Sequence, residues 1–233
     1  MKIFCTNGLK TLLTELVPAF ERTSAGGERA KLSAKLSVTW GSAAALAKEL
    51  EAGARADLAV LTAEAIDELT ARGKIIAGSR VDLARSGIGL AVRKGAAKPA
   101  IGTPDALKAA LLAAKSVAHS KSGASGLYFP SVLARLGIAD AMRPKIVLPD
   151  AGTPVGDVVA RGEAEIGVQQ ISELLPVTGV EIVGPLPAEL QKITIFAAGV
   201  LTTAREADTA KAFVAFVTRS AGPLLAPKGL EPA

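Results

Sequence analysis

The chain of 233 residues is short of several residue types, and each shortage removes a class of function. Cys5 is its only cysteine, so no disulfide forms within the chain and the redox compartment stays open. With one cysteine and one histidine, His119, the usual zinc-ligand sets cannot be assembled. Aromatic residues make up only 3% of the chain, too few for the stacking platforms of single-stranded nucleic-acid readers. The net charge is +5, yet Lys and Arg are scattered with no basic run. This suits attraction of a small anion better than a nucleic-acid footprint. No apolar run is long enough to span a membrane. The opening MKIFCTNGLKTLL lacks the basic, apolar and cleavage segments of a secretion signal. As written the chain reads as cytoplasmic, and as periplasmic if a signal was removed. There is no phosphate-binding loop, dinucleotide fingerprint or nucleophile elbow. No cofactor and no metal are expected.

What is present is an α/β pattern. Hydrophobic residues form 49% of the chain and charged residues 21%, a globular balance. Lys2 to Cys5 reads as a strand, Thr6-Asn7-Gly8 as a turn, and Leu9, Leu12, Leu13, Leu16 and Phe20 recur at helical spacing. The same unit repeats as strand 36–39, turn Gly41-Ser42-Ala43 and helix 44–52. It repeats again as strand 56–61, Thr62 and helix 63–72. Three strand–helix units in succession predict a parallel sheet flanked by helices, with ligands beyond the carboxyl ends of the strands. Thr6, Asn7, Gly8, Gly41, Ser42, Ala43 and Thr62 all lie at such ends.

A second group of units runs from Ile101 to Val183. Its centre is SKSGASGLYFPSVLARL, residues 120–136, after a short strand ending at His119. A strand that stops in a Ser/Gly turn and restarts as a helix leaves unpaired N–H groups at one point, where anions bind well. Ser120, Ser122 and Ser125 add hydroxyls there, and Gly126 with Gly123 lets an oxyanion approach the backbone. A simple capped helix accounts for the same pattern. Thr153 lies in a loop ahead of another helix, either touching a ligand or simply starting that helix. Gln169 and Gln170 end a strand, either facing solvent or touching a ligand. His119 and Lys121 are the first residues to try as a base should the protein be an enzyme; a structural histidine and a solvated lysine fit the same positions. Strands 87–92 and 194–201 read as two crossings between lobes. Lobe 1 is then expected to comprise 1–92 plus 191–233, and lobe 2 93–190, with the crossings as a hinge.

The stretches FCTNGLKTLLTELVPAFE, LAKELEAGARADLAVLT, GIGLAVRKG, SGASGLYF, VARGEAEIGVQQISEL and VGPLPAELQ together resemble type II periplasmic solute-binding proteins, in their molybdate-binding-like branch. The resemblance covers nearly the whole chain. It implies a two-lobe fold, each lobe a mainly parallel sheet flanked by helices. It also implies a monomer, a small oxyanion ligand and, if the protein is exported, an ABC permease as partner. Molybdate binders carry serines where this chain has Gly8 and Ala43, and some carry a tyrosine where it has Gln170. The amides of Gln169 and Gln170 and the hydroxyls of Ser120, Ser122 and Ser125 suit an organic carboxylate better than a bare metalate. Some relatives in this branch are isomerases of unsaturated acids, so an aconitate-isomerase-like activity and a cytoplasmic ligand sensor are the alternatives.

Overall fold

A computed structural model describes residues 1–25, 35–150 and 152–233. The chain divides into two units, Met1–Arg85 with Thr194–Ala233, and Ser86–Ile193. The elements of the first passage are β1 (Lys2–Thr6), α1 (Lys10–Ala25), β2 (Ser37–Gly41), α2 (Ala43–Glu51), β3 (Leu58–Thr62), α3 (Ala63–Ala71) and β4 (Val81–Ser86). The second unit holds β5 (Ile88–Arg93), α4 (Pro104–Ala113), β6 (Val117–His119), α5 (Ala124–Arg135), α6 (Ala139–Met142), β7 (Ile146–Val147), α7 (Val155–Ala160), β8 (Ile166–Gln170), α8 (Ile171–Leu174) and β9 (Val180–Pro185). The chain then returns through β10 (Thr194–Val200), α9 (Ala207–Ser220) and α10 (Gly222–Leu225).

Each unit is built on a sheet of five strands, ordered β2-β1-β3-β10-β4 in the first and β7-β6-β8-β5-β9 in the second. In the first, β1 pairs in parallel with β2 and β3, as the strand–helix alternation predicts, and β10 joins β3 antiparallel. In the second, β6 pairs in parallel with β7 and β8, while β5 runs antiparallel to β8 and β9. Neither expected crossing strand passes between units. Strand β5 lies wholly in the second sheet and β10 wholly in the first. The chain instead changes unit at Arg85/Ser86 and Ile193/Thr194, which moves the expected boundaries from Val92 and Gln191.

Alternation along the strands sets the cores. Ile3 and Cys5, Leu58 and Val60, and Phe196 and Ala198 point to one face of the first sheet, where α1 and α9 bring Leu12, Leu13, Phe20, Phe213 and Val217. Phe20 meets Phe213 edge-on, ring centroids 5.2 Å apart. Phe4, Ala59, Leu61 and Ala197 point to the other face, covered by Leu46 and Leu50 of α2 and Ile66 and Leu69 of α3. Trp40 packs against the first of these clusters. In the second sheet Leu90, Val117, Ile166 and Val168 share a face with Leu107 of α4 and Phe129 and Val132 of α5, and Ala118 faces Val155, Val158 and Val159 of α7. Each fully buried aliphatic or Phe side chain contributes roughly 1.5–3 kcal/mol over its exposed state.

Two polar side chains tie distant chain together. Asp57 Oδ2 accepts from Lys2 N at 2.7 Å, and its Oδ1 accepts from Arg205 N at 2.8 Å and Glu206 N at 3.1 Å, just ahead of α9. Burial alone would raise this carboxyl's pKa; the three backbone donors outweigh it and hold it below the ordinary value. In the second unit the Gln191 amide bonds both backbone groups of Ile88, and its oxygen also accepts from Lys192 N at 3.0 Å. Its Oε1 accepts from Ile88 N at 2.8 Å and its Nε2 donates to Ile88 O at 2.9 Å.

Candidate functional site

The parallel registers gather the expected residues at one edge of each sheet. In the first unit Thr6 stands opposite Gly41 and Cys5 opposite Val60, so the ends of β2, β1 and β3 lie side by side. Each end runs into a helix start. Ser42 caps α2, its Oγ accepting from Ala45 N at 3.2 Å, and Thr62 caps α3, its Oγ1 accepting from Ala65 N at 3.3 Å. Thr6 precedes the 3-10 turn Asn7–Leu9 that leads into α1, and its side chain makes no capping bond. Ala43 and Gly8 are buried. Gly8 is closed in by Phe196: an added Cβ would stand 2.7 Å from ring atom Cε1 of that buried side chain. A serine at this position, as in the molybdate pattern, therefore requires the ring to move.

In the second unit His119 stands opposite Val168 and Ala118 opposite Val147, so the loops after β7, β6 and β8 share an edge. Ser120 Oγ accepts from Gly123 N at 3.0 Å. Gly123 is the N-cap residue of α5, twelve residues long. A Cβ on Gly126 would fall onto the Ser120 carbonyl, 2.7 Å from its carbon, so only glycine lets the helix start lie against this turn. Ser125, in the first turn of α5, is 1% exposed, and its hydroxyl has no hydrogen-bond partner among the described residues. Ser122 and Lys121 are exposed. Thr153 N donates to Asp150 O at 3.0 Å in the loop ahead of α7.

Gln169 and Gln170 are both buried, which rules out a solvent-facing strand end. Gln169 Nε2 donates to Glu173 Oε2 at 2.8 Å, and Gln169 Oε1 is buried with no partner among the described residues. Burial pushes the Glu173 carboxyl up to about 7, against the Gln169 bond, which pulls it down. His119 is buried beside Phe129, and its Nδ1 lies 3.1 Å from Ser120 O. A carbonyl oxygen only accepts, so Nδ1 carries the proton and Nε2 the lone pair. Burial lowers the histidine's pKa, outweighing that bond, and favours the neutral ring.

Sequence reasoning passed over Glu173, Ser172 and Phe196. Ser172 Oγ is a further buried hydroxyl with no partner among the described residues, next to Glu173 in α8. A Glu four residues after a strand-end Gln was the available signal for Glu173. Arg80 is held by Asp67 and Asp82, and Arg85 by Glu231, so both arginines are engaged in ion pairs within the first unit. Among the described residues, no group of three or more His, Cys, Asp or Glu is placed to hold a metal, and no helix is long and apolar enough to cross a membrane.

A strand edge rimmed with helix starts, repeated in two α/β units, is the architecture of solute-binding proteins. The chain belongs to the bacterial extracellular solute-binding protein family, which it matches over residues 1–229. It is 35% identical over 234 residues to an aconitate isomerase from a Pseudomonas species, covering 100% of this chain and 87% of that protein. Among solved structures it is similar to the periplasmic molybdate-binding protein of Azotobacter vinelandii (TM-score 0.81, 18% identity, covering 100% of this chain and 99% of that one). It is also similar to the sulfate-binding protein SubI of Mycobacterium tuberculosis (TM-score 0.73, 19% identity, covering 100% and 86%). The fold is thus the type II solute-binding fold expected from the sequence.

Proposed function

We propose that the protein binds a small organic carboxylate at the strand edge of its second unit, as a substrate-binding protein of the ABC-transporter type. The observation that carries this reading is the start of α5. A full-length helix N-terminus, a glycine that brings it flush with the Ser120 turn, and a buried Ser125 hydroxyl without a partner together favour a negatively charged guest. The sulfate- and molybdate-binding proteins of the same fold support an anion. The buried Gln170 amide and the closed space at Gly8, where molybdate binders carry a serine, favour a carboxylate over molybdate. An ABC permease is the partner this reading implies.

Isothermal titration with succinate, malate, citrate, cis- and trans-aconitate, sulfate and molybdate tests it. Carboxylates are expected to bind and molybdate to bind weakly or not at all. Silence from every carboxylate refutes the proposal.

The 35% identity to an aconitate isomerase supports a second reading, in which the bound tricarboxylate also reacts. A base would take a proton from the methylene carbon, and the same proton would return to the former vinyl carbon as the double bond shifts between them. A neutral His119 with its lone pair on Nε2 is suited to that transfer. Conversion of trans- to cis-aconitate, followed by proton NMR, distinguishes turnover from binding. A His119→Ala variant with undiminished turnover would clear this residue of the role.

A further inference from the structure

We propose that Gln169 is a specificity-determining residue that selects a ligand bearing a hydroxyl beside its carboxylates, and that Glu173 is the positioning residue that sets the Gln169 amide for this task. The inference rests on the carboxylate reading above and deepens it. An ionised carboxylate accepts hydrogen bonds and cannot donate them. With Glu173 ionised, the 2.8 Å contact to its Oε2 therefore turns the amide nitrogen of Gln169 toward Glu173 and leaves Oε1 as the remaining functional atom. That oxygen is buried, on a side chain 5% exposed, and no described residue donates to it. It lies one residue past Val168, which is in register with His119, and so sits at the same strand edge as the Ser120 turn.

An acceptor in this state discriminates by chemistry. A sulfate, a molybdate or a plain carboxylate brings only lone pairs and meets Oε1 with repulsion. A hydroxyl brings the missing donor. A site built around a ligand hydroxyl rejects the analogue lacking it far more strongly than a packing difference would, because the protein's polar atom is then left unpaired.

Glu173 also makes this choice depend on pH. The elements packed most extensively against α8 are α7, β5, β8 and β9. Their titratable side chains are Asp157, Arg93 and Glu181, and Glu181 is paired with Lys98 at 3.1 Å. None of them shifts the Glu173 carboxyl, which responds to burial and to Gln169 alone. Once protonated, Glu173 can donate to Oε1, the amide turns over, and its N–H groups face outward instead. The preference for a hydroxyl then fades.

The test is titration of the full chain with two matched pairs that differ by one hydroxyl, citrate against propane-1,2,3-tricarboxylate and malate against succinate, at pH 8 and pH 6. At pH 8 the hydroxyl member of at least one pair is expected to bind about tenfold more tightly or better, with a smaller ratio at pH 6. Gln169→Leu should bring the ratio to within about twofold of unity. Glu173→Gln, whose own amide pairs with either orientation, should lower the ratio and remove its pH dependence. Binding of the acids with no hydroxyl preference, or a preference that survives both substitutions, overturns this inference and leaves the carboxylate reading standing. Failure of all four acids to bind overturns this inference, and failure of cis- and trans-aconitate as well removes the carboxylate reading.

Discussion

The two strand edges are made from the same parts and finished differently. In the first unit the hydroxyls of Ser42 and Thr62 are spent on capping their own helices, and Phe196 fills the space above Gly8. Its only buried side-chain oxygen without a described partner is Thr11 Oγ1. In the second unit the cap at Ser120 is likewise spent, but Ser125 Oγ, Ser172 Oγ and Gln169 Oε1 remain buried and unanswered among the described residues. A buried polar group left in this state costs about 1–3 kcal/mol. One edge therefore has its hydroxyls settled within the unit, whereas the other holds buried polar atoms that the proposed anion would complete.

Three substitutions break or sharpen this contrast, beginning with the largest effect. Gly126→Ala drives a methyl group into the Ser120 carbonyl, so the start of α5 must separate from its turn. A loss of roughly 3 kcal/mol or more is expected, together with abolished anion binding, by chemical denaturation and titration calorimetry. Gly8→Ser restores the hydroxyl of the molybdate pattern at the first edge but displaces a buried ring. It should cost roughly 1–3 kcal/mol, and a companion Phe196→Leu change should recover part of that loss. If Gly8→Ser is neutral and confers tight molybdate binding, the first edge is not closed in the sense argued here.

The smallest effect comes from Glu173→Gln and has a sign set by pH. The folded carboxyl titrates near 7 instead of 4.5, so the native state holds its proton more tightly than the unfolded chain does. The wild type keeps this contribution in full below about 4.5 and loses it progressively as the pH rises through 7. The side chain keeps some exposure, so about 1–2 kcal/mol is expected rather than the full value of the shift. Glu173→Gln should therefore be more stable than wild type at pH 8 and equal to it at pH 4.5. Thermal unfolding across that range measures the difference.

Much of this was legible in the residues. Apolar strand runs marked β1, β2 and β3, and with them α2 and α3, to within two residues, and the leucine spacing marked α1 as far as Phe20 of a helix that continues to Ala25. Thr103-Pro104 marked the start of α4, where the Thr103 hydroxyl accepts from Ala106 N at 3.2 Å. Strand β4 escaped because Asp82 and Arg85 interrupt its apolar pattern at exposed positions, and α8 because four residues carry no period. The strand ends that form the two edges followed from topology. Their finish did not, since Phe196 reaches Gly8 from almost the other end of the chain. The state of Glu173 likewise follows from burial, which no spacing records.

The place of β10 in the first sheet has a consequence for how the molecule is made. It lies between β3 and β4, yet its residues follow 107 others after β4 ends. During synthesis the first sheet waits with an open slot, while Ser86–Ile193 emerges as a continuous stretch able to complete its own sheet. The portion begun second is finished first, and closure of the earlier one is a late, long-range step of the kind that slows folding.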